Sequence, residues 1–264
     1  MKVRMYNVGF GDCFCLRDRK KSLLVDFGTN NSRIEGRPRR EIFDVIISDL
    51  STIKSKNLLL THFHMDHLSG LLYMMKKKDI SVDFGKIYLP DVFSKKEMSR
   101  TLVLLLLADL LKESGLPSRQ VSLFALVDAL LENKQNVELL SRGKLFENKY
   151  QALWPDTDVI WKETDEVYNR ICEDGKFKEV MDVLLEFAEK LRLIVWSMTA
   201  EGNKPAETVE KETDLTASEL TEQPEVRQKI IRAYVYEREF RRIKALPDFK
   251  KLLAWLNENQ INLR

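Results

Sequence analysis

Histidine is nearly absent from this sequence: there are three in 264 residues, and none outside positions 62 to 67. Cysteine is equally scarce. Cys13, Cys15 and Cys172 are an odd count with no framework spacing, which excludes a disulfide scaffold and favours a reducing compartment, the cytoplasm. A signal-peptide core is missing, because Met1 to Tyr6 runs straight into a strand-like pattern. The apolar run Leu102 to Leu111 is about half the length of a membrane span and contains Asp109, so it predicts a buried helix and no membrane. Charge of one sign is not in excess either. Lys and Arg number 43 against 41 Asp and Glu, and a net charge of +2 does not by itself specify nucleic acid. What remains is 44% hydrophobic, ordinary for a globular chain of one or two domains.

Residues 1 to 90 alternate short apolar runs with amphipathic stretches. Leu23-Leu24-Val25 and Leu58-Leu59-Leu60 predict buried strands, and so does Phe84 to Leu89 before Pro90. Ile42, Phe43, Val45, Ile46, Ile47 and Leu50 make a helix face over 41–53, and a second helix is expected from near Ser69. This alternation predicts a layered α/β domain. Helices are expected at 95–113 and 118–133, then a hairpin of Val137–Leu140 with Leu145–Trp154 across Arg142-Gly143-Lys144. After Pro155 the pattern is helical over 163–199 and 225–258, around an acidic linker at 200–224. The expected domains are therefore 1–155, α/β, and 156–264, an all-α region. The four tryptophans, 154, 161, 196 and 255, are expected in cores.

The densest chemistry is Thr61-His-Phe-His-Met-Asp-His67. Imidazole and carboxylate at this density suit zinc, one ion or two, and manganese suits the same donors. Exposed loop histidines are the bland alternative. His62 and His64 are two apart at a strand tip, so they face one way in extended chain and can grip one metal together. Asp66 and His67 follow at the turn, placed for a second metal or for a water between two. Two such metals lower the pKa of a bound water towards roughly 7 and clamp the oxygens of a hydrolysis reaction. Cys13 and Cys15 share a strand face. They read as a metal pair or, more simply, as small buried hydrophobes. Asp12 belongs either to the site or only to a turn. The basic runs Lys76–Lys78, Lys95–Lys96 and Arg37–Arg40 read as solvated helix ends and loops.

His62-x-His64-x-Asp66-His67 after an apolar strand resembles the signature of the metallo-beta-lactamase superfamily. Asn7-Val-Gly-Phe-Gly-Asp12, followed by Leu24-Val-Asp-Phe-Gly28, resembles the opening of its competence-protein-type branch, and Leu153-Trp-Pro155 resembles a segment closing the first half of that fold. The resemblance covers about residues 1–155. It implies the N-terminal half of an αββα sandwich, with 156–264 as a helical insertion or C-terminal region. It implies metal-dependent hydrolysis by metal-activated hydroxide, with His62 and His64 on one ion and Asp66 and His67 on the other. Asp66 would also be catalytic, orienting the hydroxide, while Asp26 and Thr61 would support the ligands. A phosphodiester or nucleic-acid substrate follows from the branch.

The family's remaining ligands, a third and a last histidine and a bridging aspartate, come from the second half and have no match here. The expectation is thus a truncated or split hydrolase, completed by a complementing chain or by self-association. The rival is a non-catalytic protein that keeps the site as a remnant and uses its helices as an interaction surface.

Overall fold

The computed structural model describes residues 1–18, 21–77, 83–113, 123–133, 135–173, 175–200 and 238–259. The chain divides into two compact units, Met1–Asp91 with Leu105–Thr157 and Val92–Leu104 with Asp158–Leu263.

The first unit is built on a mixed sheet of six strands in the order β1-β2-β3-β6-β7-β8. These are β1 (Lys2–Met5), β2 (Phe14–Asp18), β3 (Lys21–Val25), β6 (Ser55–Leu59), β7 (Ile87–Pro90) and β8 (Val137–Leu140). The first three are antiparallel, and β3, β6, β7 and β8 run parallel. Parallel strands need crossovers, which α1 (Arg39–Ser51), α2 (Met65–Lys76), α3 (Ser99–Glu113) and α4 (Leu123–Glu132) supply. The division between units falls within α3. A short hairpin of β4 (Arg33–Ile34) and β5 (Arg37–Pro38) precedes α1.

Register explains the burial. Cys15, Leu24, Leu58, Ile87 and Val137 form one row across the sheet, and all are buried. Helix α1 buries Phe43, Ile46, Ile47 and Leu50, the i, i+3, i+4, i+7 stripe of an amphipathic helix, and α2 buries Leu68, Leu71, Leu72 and Met74. Phe27 meets Phe43 edge-to-face with ring centroids 5.3 Å apart. Arg4 and Arg17 share the side of that row by register, and both donate to Asp49 of α1, which places α1 on that face. The opposite face carries Leu23, Tyr88 and Leu140, packed with Phe146 and Ala152. The hairpin of β9 (Leu145–Phe146) and β10 (Tyr150–Gln151) covers this cluster. It is tied down through Glu147, which accepts from Tyr88 Oη at 2.7 Å and from Asn57 Nδ2.

Three expectations change. Val137–Leu140 does not pair with Leu145–Trp154. Its side chains are buried apart from half-buried Glu138, as suits a strand inside a parallel sheet, and it pairs with β7, while the hairpin closes later through Glu147 and Asn148 at φ +52° and +58°. Helix α2 starts at Met65, four residues before Ser69, so Asp66 and His67 occupy its first turn. Trp154 is 58% exposed; the backbone holds its segment, with Arg142 N–H donating to Pro155 O at 2.8 Å. The other three tryptophans are half-buried.

The second unit is helical among its described residues: α5 (Thr157–Cys172), α6 (Lys178–Ser197), α7 (Arg238–Ala245) and α8 (Phe249–Glu258). Its core takes Tyr168, Met181, Phe187, Leu191, Ile243, Phe249 and Leu252. Arg192 is buried. It donates to the Phe93 and Ser94 carbonyls and pairs with Glu189 at 2.9 Å, which compensates its lost hydration. The acidic stretch expected at 200–224 lies, after residue 200, outside the described residues. Among them no helix is long and apolar enough to cross a membrane.

Candidate metal centre

The site sits at the C-terminal ends of β3 and β6, where parallel strands hand their chain to loops and helix N-termini. β3 ends at Val25, and Asp26 follows. β6 ends at Leu59, and Thr61 and His62 follow. These strands are parallel neighbours with Val25 opposite Leu59, so Asp26 and Thr61 come together although 35 residues apart.

Asp26 is the hub. It is 2% exposed, and its carboxylate accepts Thr61 N–H at 2.8 Å on Oδ1. Its Oδ2 accepts Thr61 O–H at 2.7 Å and bonds His67 Nδ1 at 2.9 Å. A buried carboxylate is tolerated only with partners of this kind. Its backbone is left-handed, φ +54°, at a cost of roughly 1 kcal/mol. That conformation is held from both sides: Asp26 N–H donates to Leu59 O at 2.8 Å and Phe27 N–H to His67 O at 2.7 Å.

Three backbone segments meet here without room for side chains. A Cβ at Gly28 would lie 2.6 Å from Leu68 N and 2.7 Å from Asp66 O, and one at Gly11 would lie 2.7 Å from Asp66 O. Glycine allows Asp12 N–H to reach Asp66 O at 3.2 Å and Gly28 N–H to reach Asp12 O at 3.2 Å. The Gly9–Asp12 turn is thereby docked on the histidine motif.

The donors converge in two overlapping groups. His62, Asp66 and His67 offer atoms that all lie within 4.8 Å of one another, and so do Asp12, Asp26 and His67. His67 Nε2 stands 3.7 Å from Asp66 Oδ2, and Nδ1 stands 3.6 Å from Asp12 Oδ2. The His62 ring is 3.8 Å from His67 and 4.7 Å, edge-to-face, from His64, between centroids. His64 occupies the N-cap position of α2 and is outside both groups. Asp12, which the sequence left open between site and turn, lies beside His67. The Gly-Phe-Gly-Asp turn was its only local signal. Cys13 and Cys15 are buried outside both groups, and burial, most of all, raises the Cys13 thiol pKa.

The donor set fits a metal. A tetrahedral zinc with ligands near 2.05 Å separates donor atoms by about 3.3 Å, close to the His67–Asp66 spacing. The tautomers fit as well. His67 gives its Nδ1 to Asp26, and His62 Nδ1 lies 3.0 Å from Thr61 Oγ1, whose own proton goes to Asp26. Both rings then present Nε2, the arrangement a carboxylate imposes on ligating histidines. Burial, then the His67 and His64 rings, push His62 down to about 4, so it stays neutral. Burial also acts to lower His67, but its hydrogen bond to Asp26 and the charges of Asp26, Asp66 and Asp12 outweigh it and raise the pKa. Within the basic runs, Lys77 bonds Asp44 at 2.6 Å, Lys95 bonds Asp158 at 2.9 Å and Arg37 bonds Glu41 at 3.3 Å.

A stretch of 77 residues, 29% of the chain, is 32% identical to the endoribonuclease YSH1 of Mycosarcoma maydis, of which it spans only 8%. No solved structure matches the chain. Residues 6–91, which include Asp12, Asp26 and the whole histidine motif, match the family model of the Metallo-beta-lactamase superfamily.

Proposed function

We propose that this chain carries the metal-binding half of a metal-dependent hydrolase acting on phosphodiesters, single-stranded nucleic acid among them. The observation behind this reading is the convergence of His62, Asp66 and His67 with both ring tautomers set through Asp26. The endoribonuclease relative supports the substrate class. When bound, zinc or manganese supplies Lewis acidity that activates water and polarises a phosphoryl oxygen. His62, Asp66 and His67 would hold it, and His64, outside that group but with its ring 4.7 Å from that of His62, would be the further ligand. Asp26 and Thr61 would orient the rings, and Asp66 would also orient the hydroxide.

The test is metal content and hydrolysis of the purified chain. Stoichiometric zinc or manganese is expected, together with cleavage of bis-p-nitrophenyl phosphate or single-stranded RNA that His64→Ala with Asp66→Ala abolishes. Absence of both metals, or undiminished cleavage by the double variant, would sink the reading.

A second reading adds a complementing chain or a second copy of this one. On the sheet face of Leu23 and Tyr88, Val3 and Met5 of the edge strand are 61% and 72% exposed, and Leu145 of the hairpin is also exposed. Apolar side chains grouped on one face favour a covering partner. Sedimentation velocity with and without Val3→Lys tests self-association: a monomer at every concentration removes it, leaving a different partner chain.

A further inference from the structure

No large apolar side chain among the described residues is more exposed than Phe10, at 79%. Exposed apolar side chains are common when they sit on loose loops. This one does not. Phe10 N–H donates to Asn31 Oδ1 at 2.9 Å, and Phe10 O accepts from Asn30 N–H at 2.8 Å and Thr29 O–H at 3.1 Å. Asn31 N–H in turn donates to Thr29 Oγ1 at 3.1 Å, and Gly9 N–H to Asn7 Oδ1 at 3.2 Å. Both backbone groups of Phe10 are therefore satisfied by one neighbouring loop, and its Cα is fixed while its ring stays in water.

The place is as telling as the rigidity. Phe10 is bonded to Gly11, whose Cβ position would fall 2.7 Å from the Asp66 carbonyl oxygen. Two residues on is Asp12, whose carboxylate lies 3.6 Å from His67. Two residues of chain span at most about 7 Å, so the Phe10 backbone stands within that distance of the Asp12 backbone and the exposed ring is carried on the same docked turn. An aromatic ring held ready in water loses little conformational entropy when a flat partner lies on it.

We propose that Phe10 is a substrate-binding residue, a platform on which an unpaired nucleobase stacks beside the phosphodiester held at the metal centre. The inference rests on the phosphodiester reading above and names the part of the substrate next to the phosphate. Stacking reads the π-face that every base shares, so Phe10 selects unpaired bases without selecting their sequence.

The test uses the full chain loaded with zinc and compares Phe10→Ala, Phe10→Leu and Phe10→Trp. Fluorescence anisotropy is read with three fluorescein-labelled single-stranded octamers: RNA, DNA and an abasic octamer of equal charge. Phe10→Ala is expected to weaken RNA or DNA binding about five- to a hundred-fold, with little effect on the abasic octamer. Trp is expected to retain affinity and Leu to lose it. The tighter of RNA and DNA names the sugar. An unchanged thermal midpoint shows that the fold is intact. If the unaltered chain binds the octamers and Phe10→Ala binds them equally well, the stacking role is overturned and the phosphodiester reading stands. Equal loss on the abasic octamer, or full affinity with Leu, also overturns stacking. If the unaltered chain binds none of the octamers, both readings fall.

Discussion

Replacing Asp26 separates what holds the fold from what prepares the metal centre. Asp26→Ala removes the acceptor of Thr61 N–H, Thr61 O–H and His67 Nδ1. An orphaned buried donor costs about 1–3 kcal/mol, but Thr61 is exposed and part of that loss is recovered by water. Aspartate already carries the strain of φ +54°, so alanine adds only a fraction of a kcal/mol there. The sum is about 2 kcal/mol, a sizeable share of the 5–15 kcal/mol of a typical domain. Asp26→Asn is different. Asparagine tolerates the left-handed backbone, and its amide oxygen keeps the Thr61 N–H, so the fold loses only about 1 kcal/mol. Its NH2 group, however, now faces His67 Nδ1. That nitrogen must accept, the proton moves to Nε2, and Nε2 no longer offers a lone pair to a metal. Zinc affinity should fall about 10- to 100-fold while the thermal midpoint barely moves. Chelator competition reads the affinity, and the long-range nitrogen-15 spectrum reads the tautomer directly, metal or none. Zinc affinity equal to that of the unaltered chain, or His67 still protonated on Nδ1 in Asp26→Asn, refutes the reasoning.

Because the chain has only three histidines, their side-chain resonances report the site without crowding. One, His62, should titrate near 4 and another, His67, above the ordinary value; three signals near 6.5 would contradict the electrostatics. The signs for stability are opposite. His67, raised in the fold, contributes stability that is complete below about 6.5 and is lost as pH rises through its folded pKa, whereas the His62 contribution is present above about 6.5 and is lost as pH falls towards 4. Gly28→Ala places a methyl 2.6 Å from Leu68 N and 2.7 Å from Asp66 O, so it should destabilise by about 1–3 kcal/mol and lower the thermal midpoint by several degrees in a circular-dichroism melt. A melt like that of the unaltered chain would mean the three backbone segments can part freely.

Some of the fold was legible because its signals are local. Phe43, Ile46, Ile47 and Leu50 announce α1 by spacing alone, and the apolar runs before Asp26 and Thr61 announce β3 and β6. The start of α2 was misplaced because His64-Met-Asp-His67 reads as a loop of ligands. In the structure His67 N–H donates to His64 O at 3.0 Å, and a carboxylate in the first turn suits the helix dipole. The expected hairpin at Val137 failed because a short, mostly apolar strand is as ready to join a parallel sheet as to fold back, and only the partner decides.

By itself the sequence determined which donors are present: three histidines and an aspartate within seven residues at a strand tip, with a glycine-rich turn and an aspartate upstream. Residue type and short spacing suffice for that, because a ligand's chemistry belongs to the residue. Only the tertiary structure decided which donors meet. Asp12 and Asp26 reach His67 across 55 and 41 residues because β3 and β6 pair in parallel and Gly11 and Gly28 let backbones touch. Such convergence depends on strand order and on space left empty, and neither is written at any single position of the chain.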